Sequence, residues 1–167
     1  FIRPISSDEL KWSGLEVNEK HFLGFLNEDA CYVISVEKDN CILENYEFIN
    51  LRGLFGRIPD ELFGVISRGL QIITWSKTNK FCGVCGSPLK EEKHERAMKC
   101  TNCDADPVYP RISPCVITLI HKENKILLAH NVNFPENFYS TLAGFIEPGE
   151  SVEEALKREV MEEIGVC

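Results

Sequence analysis

The sequence predicts a mixed α+β/α-β chain in which a small β-rich N-terminal domain, a ribbon pinned by four cysteines and a strand, loop and helix follow one another. Three observations predict it. Short apolar runs broken by turn residues give way after Asn50 to apolar residues recurring at threes and fours. Two C-x2-C pairs, Cys82 with Cys85 and Cys100 with Cys103, stand in the middle of the chain. Residues 144–166 combine a Pro148-Gly149 turn, a capping box of Ser151 and Glu154, and glutamates at helical spacing.

The composition bounds the function. At 167 residues the chain holds one large domain or two or three small ones, and 44% hydrophobic with 26% charged residues is ordinary for a globular protein. No apolar run approaches the roughly 18 to 20 residues of a membrane span, and no basic-then-apolar leader opens the chain. A cytoplasmic protein with no membrane partner is expected, or a peroxisomal one if the source is eukaryotic. The formal charge of −8 argues against broad electrostatic binding to a nucleic-acid backbone and leaves room for recognition of one end. Eight cysteines without an export signal point to metal binding rather than disulfides.

The first domain is placed at 1–78. Residues 21–26 and 30–36 read as strands around an Asn27-Glu28-Asp29 turn. Leu51, Leu54, Phe55, Ile58, Leu62, Phe63, Ile66, Leu70, Ile73 and Trp75 then follow a helical period interrupted at Pro59, which predicts two helical segments. Cys31 and Cys41 each stand alone and read as small packing residues, and His21 as a structural one. No internal repeat is visible.

A ribbon is placed at 79–106. Each C-x2-C pair folds as a knuckle, and two knuckles close a tetrahedral four-thiolate site suited to Zn²⁺, with no coordination position left open for chemistry. The metal is therefore expected to staple a segment too small for its own core. Between the knuckles Lys90, Lys93, Arg96 and Lys99 alternate with Glu91, Glu92 and Glu95, a nearly neutral hairpin and a poor nucleic-acid surface.

The third part is placed at 107–167. Residues 107–114 are proline-punctuated and extended, 115–120 and 125–130 read as buried strands of a hairpin around Glu123-Asn124, and 139–145 as a strand leading to the helix. His121 and His130 lie at strand ends and read as surface residues. Along the helix Leu156, Val160 and Ile164 form an apolar stripe, and Gly165 is placed to stop it. Glu159, Glu162 and Glu163 fall together on an adjacent face. Like charges at these spacings repel by a few tenths of a kcal/mol per pair, with Arg158 the nearby counter-charge. Such an arrangement suits a hard divalent cation, Mg²⁺ or Mn²⁺, better than Zn²⁺.

The pattern resembles the Nudix box, G-x5-E-x7-R-E-U-x-E-E-x-G-U with U aliphatic. Gly144, Glu150, Arg158, Glu159, Val160, Glu162, Glu163, Gly165 and Val166 fill every specified place. With LQIITWSKTNKFCGVCG, the four-cysteine ribbon, YPRISPCVI and LAGFIEPGE in order, nearly the whole chain is similar to the NADH pyrophosphatase family of Nudix hydrolases. The resemblance implies the N-terminal part of a Nudix α/β/α sandwich, structural zinc and a homodimer. It implies cleavage of NADH or NAD⁺ to nicotinamide mononucleotide and AMP, and in some members removal of NAD caps from RNA 5′ ends. It further implies that Glu159, Glu163 and the Ala143 carbonyl bind the catalytic metal, that Glu162 is a ligand or a base through water, and that Glu150 and Arg158 tie the loop to the helix. Tyr109 and Phe145 would sandwich the nicotinamide ring, with Ile117 lining the pocket. Rival readings are a Nudix enzyme for another nucleoside diphosphate compound and a non-catalytic binding module. Since the chain opens on Phe1 and stops at Cys167, directly after the box, it is expected to be cut at both ends and inactive or nearly so by itself.

Overall fold

The structure is a computed structural model that describes residues 4–37 and 48–166, apart from the side chain of Trp12. Cys41 and Cys167 lie outside the described residues. The chain divides into two compact units, Phe1–Pro110 and Arg111–Cys167.

The first unit opens with a short helix, α1 (Ser7–Trp12), where strands were expected. Ser6 and Glu9 explain it: the Ser6 side chain accepts from the Glu9 amide while the Glu9 carboxylate accepts from the Ser6 amide. Next come β1 (Val17–Leu26) and β2 (Asp29–Val36), an antiparallel hairpin. It turns at Asn27, whose φ of 53° lies in the left-handed region that asparagine tolerates. The expected strands and turn are therefore present. After a 3₁₀ turn (Leu51–Leu54), Pro59 sits at the N-cap of α2 (Asp60–Thr78), so the interruption expected at this proline is real.

Burial in α2 follows the expected stripe in part: Ile73 and Trp75 are buried and Leu62, Phe63 and Ile66 half-buried, but the buried face also takes in residues that spacing did not suggest. Gly69, Ile72, Ile73, Trp75 and Ser76 are buried, whereas Leu70 is exposed. Gly69 shows why. A Cβ there would stand 3.2 Å from Val33 Cβ and 3.3 Å from Leu23 Cδ1, so the helix backbone lies directly on the hairpin at this point. A glycine is invisible to a hydrophobic period, and the stripe is displaced toward it.

The ribbon is a hairpin of β3 (Leu89–Glu91) and β4 (Met98–Cys100), extended by a bridge from Met98 to Val108. It has no core of its own. Met98 joins Leu23, Ile72 and Trp75 in one buried cluster, with Cys31, Val33, Val65, Leu89 and Val108 packed against it. Cys31 is thus a packing residue, as its isolation in the sequence suggested. His21 is buried beside this cluster, Nε2 3.6 Å from Glu19 Oε2 and Nδ1 3.4 Å from Glu91 Oε1.

In the second unit β5 (Cys115–Thr118) pairs antiparallel with β8 (Leu142–Phe145), while β6 (His121–Lys122) and β7 (Lys125–Ile126) form a minimal hairpin around Glu123. The expected hairpin around Glu123-Asn124 is present, extended by the Leu127 amide donating to the Ile120 carbonyl; its length and burial are corrected, since Cys115–Thr118 pair with β8 instead. Only Val116 and Leu142 of the β5–β8 pair are buried, and Ile126, Leu127 and Leu128 are exposed. The reason is coverage: α3 (Val152–Ile164) packs on β8 and β5, and one helix covers one face. His121 and His130 are exposed, as expected of strand-end residues. No helix among the described residues is long and apolar enough to cross a membrane.

Filling the contact at Gly69 tests this packing. Gly69→Val should overpack the helix-hairpin interface and lower stability by about 1–3 kcal/mol, read as a reduced urea midpoint.

Candidate functional site

Helix α3 is delivered to the strands by a loop that the sequence specifies closely. Glu147 and Glu150 bracket the turn: the Glu150 amide donates to the Glu147 carbonyl at 3.1 Å, and the Glu147 amide to Glu150 Oε2 at 3.0 Å. Gly149 takes the turn's left-handed position, with a φ of 91°. Ser151 and Glu154 form the expected capping box, which holds the Glu154 carboxyl below its ordinary value through the Ser151 amide. Gly165 closes the helix in the left-handed conformation, φ 69°.

Arg158 occupies the centre. Its Nε donates to Glu150 Oε1 at 2.6 Å and its Nη2 to Glu150 Oε2 at 2.8 Å, a two-pronged pair. Nη2 also donates to the Phe145 carbonyl at 2.9 Å. Nη1 donates to Glu159 Oε1 at 2.8 Å and to Glu162 Oε2 at 3.1 Å. A guanidinium has five N–H groups, and these bonds engage every one. The consequence is that strand end, loop and helix are fixed to one planar group. Hydrogen bonding to Arg158, with the Glu147 amide adding to it, depresses the Glu150 carboxyl to about 2, and Glu150 in turn keeps Arg158 protonated well above its ordinary range.

Glu159 is set by a second contact. Its carboxylate lies where a side chain on Gly144 would be, since a Cβ there would sit well inside contact distance of the carboxyl carbon and both oxygens. Strand β8 has to present glycine at this position for Glu159 to fold across it. The sequence pattern included Gly144 without showing this role; a glycine inside an otherwise apolar strand was the available signal.

The three glutamates are not equivalent. Glu159 and Glu162 meet at Arg158 Nη1, whereas Glu163 is exposed and makes no hydrogen bond or ion pair among the described residues. With Glu150, four carboxylates stand against one guanidinium, a formal charge of −3. The repulsion expected from the spacing is therefore partly offset by Arg158; carboxylate oxygens are the donor type that suits a hard divalent ion, but among the described residues only the four cysteines are gathered closely enough to hold a metal.

On the β5–β8 pair, Ile117 stands opposite Ala143 and Cys115 opposite Phe145, all on the face away from the buried Val116 and Leu142. Ile117 and Phe145 are 71% and 64% exposed, a pair of apolar side chains on an open face. Tyr109 belongs to the first unit, where its hydroxyl donates to Glu95 Oε2 at 2.9 Å and is pushed up by that bond.

The cysteine quartet is assembled. Sγ separations are 3.7 Å for Cys82 and Cys103, and 3.5 Å for both Cys85 with Cys100 and Cys100 with Cys103. All four sulfurs lie within 4.8 Å of one another. A tetrahedron with Zn–S bonds of 2.3 Å has edges of about 3.8 Å, so these residues fit zinc. Amides of Val84, Asn102 and Cys103 point at the Cys82 and Cys100 sulfurs, as the knuckle reading required. Hydrogen bonds from Ser87 pull the Cys85 thiol down to about 6; Cys103, although the Ala105 amide favours its thiolate, is pushed up to about 12 by the neighbouring cysteines. Four thiolates this close require a cation.

The comparisons agree segment by segment. Residues 3–75 match the NADH pyrophosphatase-like rudimentary NUDIX domain, 77–106 the NADH pyrophosphatase zinc ribbon domain, and 110–167 the NUDIX domain. The chain is 39% identical over 163 residues to the NAD-capped RNA hydrolase NudC of Pseudomonas putida strain W619, covering 95% of this chain and 57% of that protein. It is 45% identical over 116 residues to the protein of the same description from Stutzerimonas stutzeri strain A1501, covering 70% and 42%. The chain thus spans about half the length of the curated relatives it matches.

Two measurements check the site. The Glu150 carboxyl, followed by its NMR shift, should titrate near pH 2 rather than near 4.5; since its native value is depressed, the latch is fully present above about pH 4.5 and is lost as pH falls through 2. Cys82→Ser should reduce bound zinc measured by atomic absorption and lower the melting temperature of the first unit.

Proposed function

Since the chain belongs to the NADH pyrophosphatase family of Nudix hydrolases, we propose that the protein hydrolyses the pyrophosphate bond of NADH or NAD⁺, giving nicotinamide mononucleotide and AMP, and that it also removes NAD caps from RNA 5′ ends. The observation that supports this most directly is the Arg158 cluster, in which one guanidinium sets the box loop and two glutamates beside the end of β8.

In the reaction, water attacks one phosphorus, the bridging P–O bond breaks, and the other phosphate leaves with the bridging oxygen. The protein supplies positioning and charge. Glu159, Glu163 and the Ala143 carbonyl are assigned to hold Mg²⁺ or Mn²⁺, with Glu162 as a further ligand or as the base that takes the water's proton. Held by these residues, such an ion would supply charge neutralisation for the diphosphate and ease the deprotonation of water. Arg158 and Glu150 are positioning residues, and Gly144 leaves space for the Glu159 carboxylate. The open aromatic face of Phe145, with Ile117 beside it, suits a flat heterocycle; Tyr109 is assigned the opposite side of the nicotinamide ring. Zinc is assigned a structural role alone.

The same reading places an N-terminal domain at 1–78, the ribbon at 79–106 and the Nudix domain at 107–167, with β5, β8 and α3 as part of an α/β/α sandwich. It takes the protein to be a cytoplasmic homodimer.

The test is metal binding joined to turnover. Glu159→Gln should weaken Mn²⁺ binding, followed by electron paramagnetic resonance, by at least about 10-fold. Glu162→Gln should lower the rate of mononucleotide formation from NADH by roughly 10²- to 10⁴-fold. Unchanged Mn²⁺ affinity and turnover in both would remove the assignment.

A further inference from the structure

The inner face of the β1–β2 hairpin closes the core through His21, Leu23 and Ser35, so strand alternation puts polar side chains on the outer face. The outer face instead carries aromatic rings. Phe22, Phe25 and Tyr32 are 42%, 68% and 50% exposed. Phe22 stands directly across the ladder from Tyr32, with ring centroids 5.2 Å apart, and Phe25 lies 5.4 Å from Phe22. Exposing three clustered rings forgoes the burial that would ordinarily reward them.

Two cations frame the cluster. The Lys20 ammonium sits 4.1 Å from the centre of the Tyr32 ring. Arg96, reaching from the turn between β3 and β4, donates to the Phe22 carbonyl, which fixes its guanidinium at the rim. Of the acidic groups of the hairpin, Glu19 is engaged by Lys80 at 2.9 Å, and Glu28 and Asp29 lie at the turn beyond Phe25. In a chain of net charge −8, a patch whose rings are bordered by lysine and arginine selects a ligand that is both anionic and rich in flat π-faces.

We propose that this face is a stacking platform for unpaired bases of RNA. The proposal rests on the capped-RNA part of the reading above and adds a second contact to it, for the nucleotides that follow the 5′ end. Stacking needs no base-specific hydrogen bond, so the platform is tolerant of sequence. Paired bases are already stacked on each other, so duplex is excluded.

The test uses a single-stranded RNA with a 5′-hydroxyl and a 3′ fluorophore, which has no pyrophosphate and leaves the glutamate cluster out of the measurement. Anisotropy titration should show binding that Phe25→Ala and Tyr32→Leu each weaken by about 5- to 100-fold, and that Lys20→Gln weakens with a salt slope smaller by about one. Glu159→Gln should leave this affinity unchanged, so failure of the catalytic assignment and failure of the platform are told apart. Folding of each variant is checked by circular dichroism, and the Lys20→Gln salt slope stands as an independent readout. Absence of binding, equal affinity in the Phe25→Ala/Tyr32→Leu double variant, or equal affinity for duplex RNA would overturn the proposal. So would sedimentation showing that the double variant dissociates a dimer of this chain, because a second copy would then be the occupant.

Discussion

Arg158 spends its entire hydrogen-bonding capacity on structure. Two N–H groups clamp Glu150, one holds the Phe145 carbonyl, and the last two are divided between Glu159 and Glu162. Each partner comes from a different piece of chain: the loop, the strand end and successive positions on the helix. A lysine at this position has three donors and no planar fork, so it could not make the same set of bonds. The guanidinium decides where the loop ends, how the helix stands on β8 and which carboxylates are close neighbours.

Much of this was legible beforehand because the residues concerned act locally. The Ser151-Glu154 capping box, the Pro148-Gly149 turn and Gly165 depend on spacing along one segment, and spacing is what a sequence states; the pairing of Glu150 with Arg158 was implied by the resemblance to the Nudix box. The cysteine quartet was legible for a related reason: two knuckles admit few arrangements. Less accessible were features in which distant segments decide. The buried stripe of α2 is shifted because Gly69 lies against Val33 and Leu23, and no periodicity in α2 encodes those neighbours. The partner of β5 is β8 rather than the nearer 125–130 segment, a choice made by what α3 covers. Glu163 shares a helical face with Glu159 and Glu162 on spacing, yet it takes no part in the bonds around Arg158.

The two metal-binding chemistries in the chain are separated by donor type. The four sulfurs gathered at one point are in the ribbon, where they can fill a coordination sphere, and the carboxylates gathered around Arg158 are on α3 and its loop. The separation makes each set selective without help from the other: thiolates favour zinc, while carboxylates favour small oxygen-seeking ions. A closed sphere holds shape, and an oxygen-rich set with unfilled positions permits chemistry.

The shared core of the first unit has a consequence for the life of the protein. Met98 and Leu89 belong to the ribbon and Val108 is bridged to it, and they pack on Leu23, Ile72 and Trp75 of the hairpin and α2. A ligand that binds only the folded form stabilises it in proportion to the logarithm of its free concentration, and here the folded form includes the whole hairpin-helix body. Zinc held by the four cysteines would therefore protect the hairpin-helix body, and not the ribbon alone, against unfolding and the proteolysis that follows it.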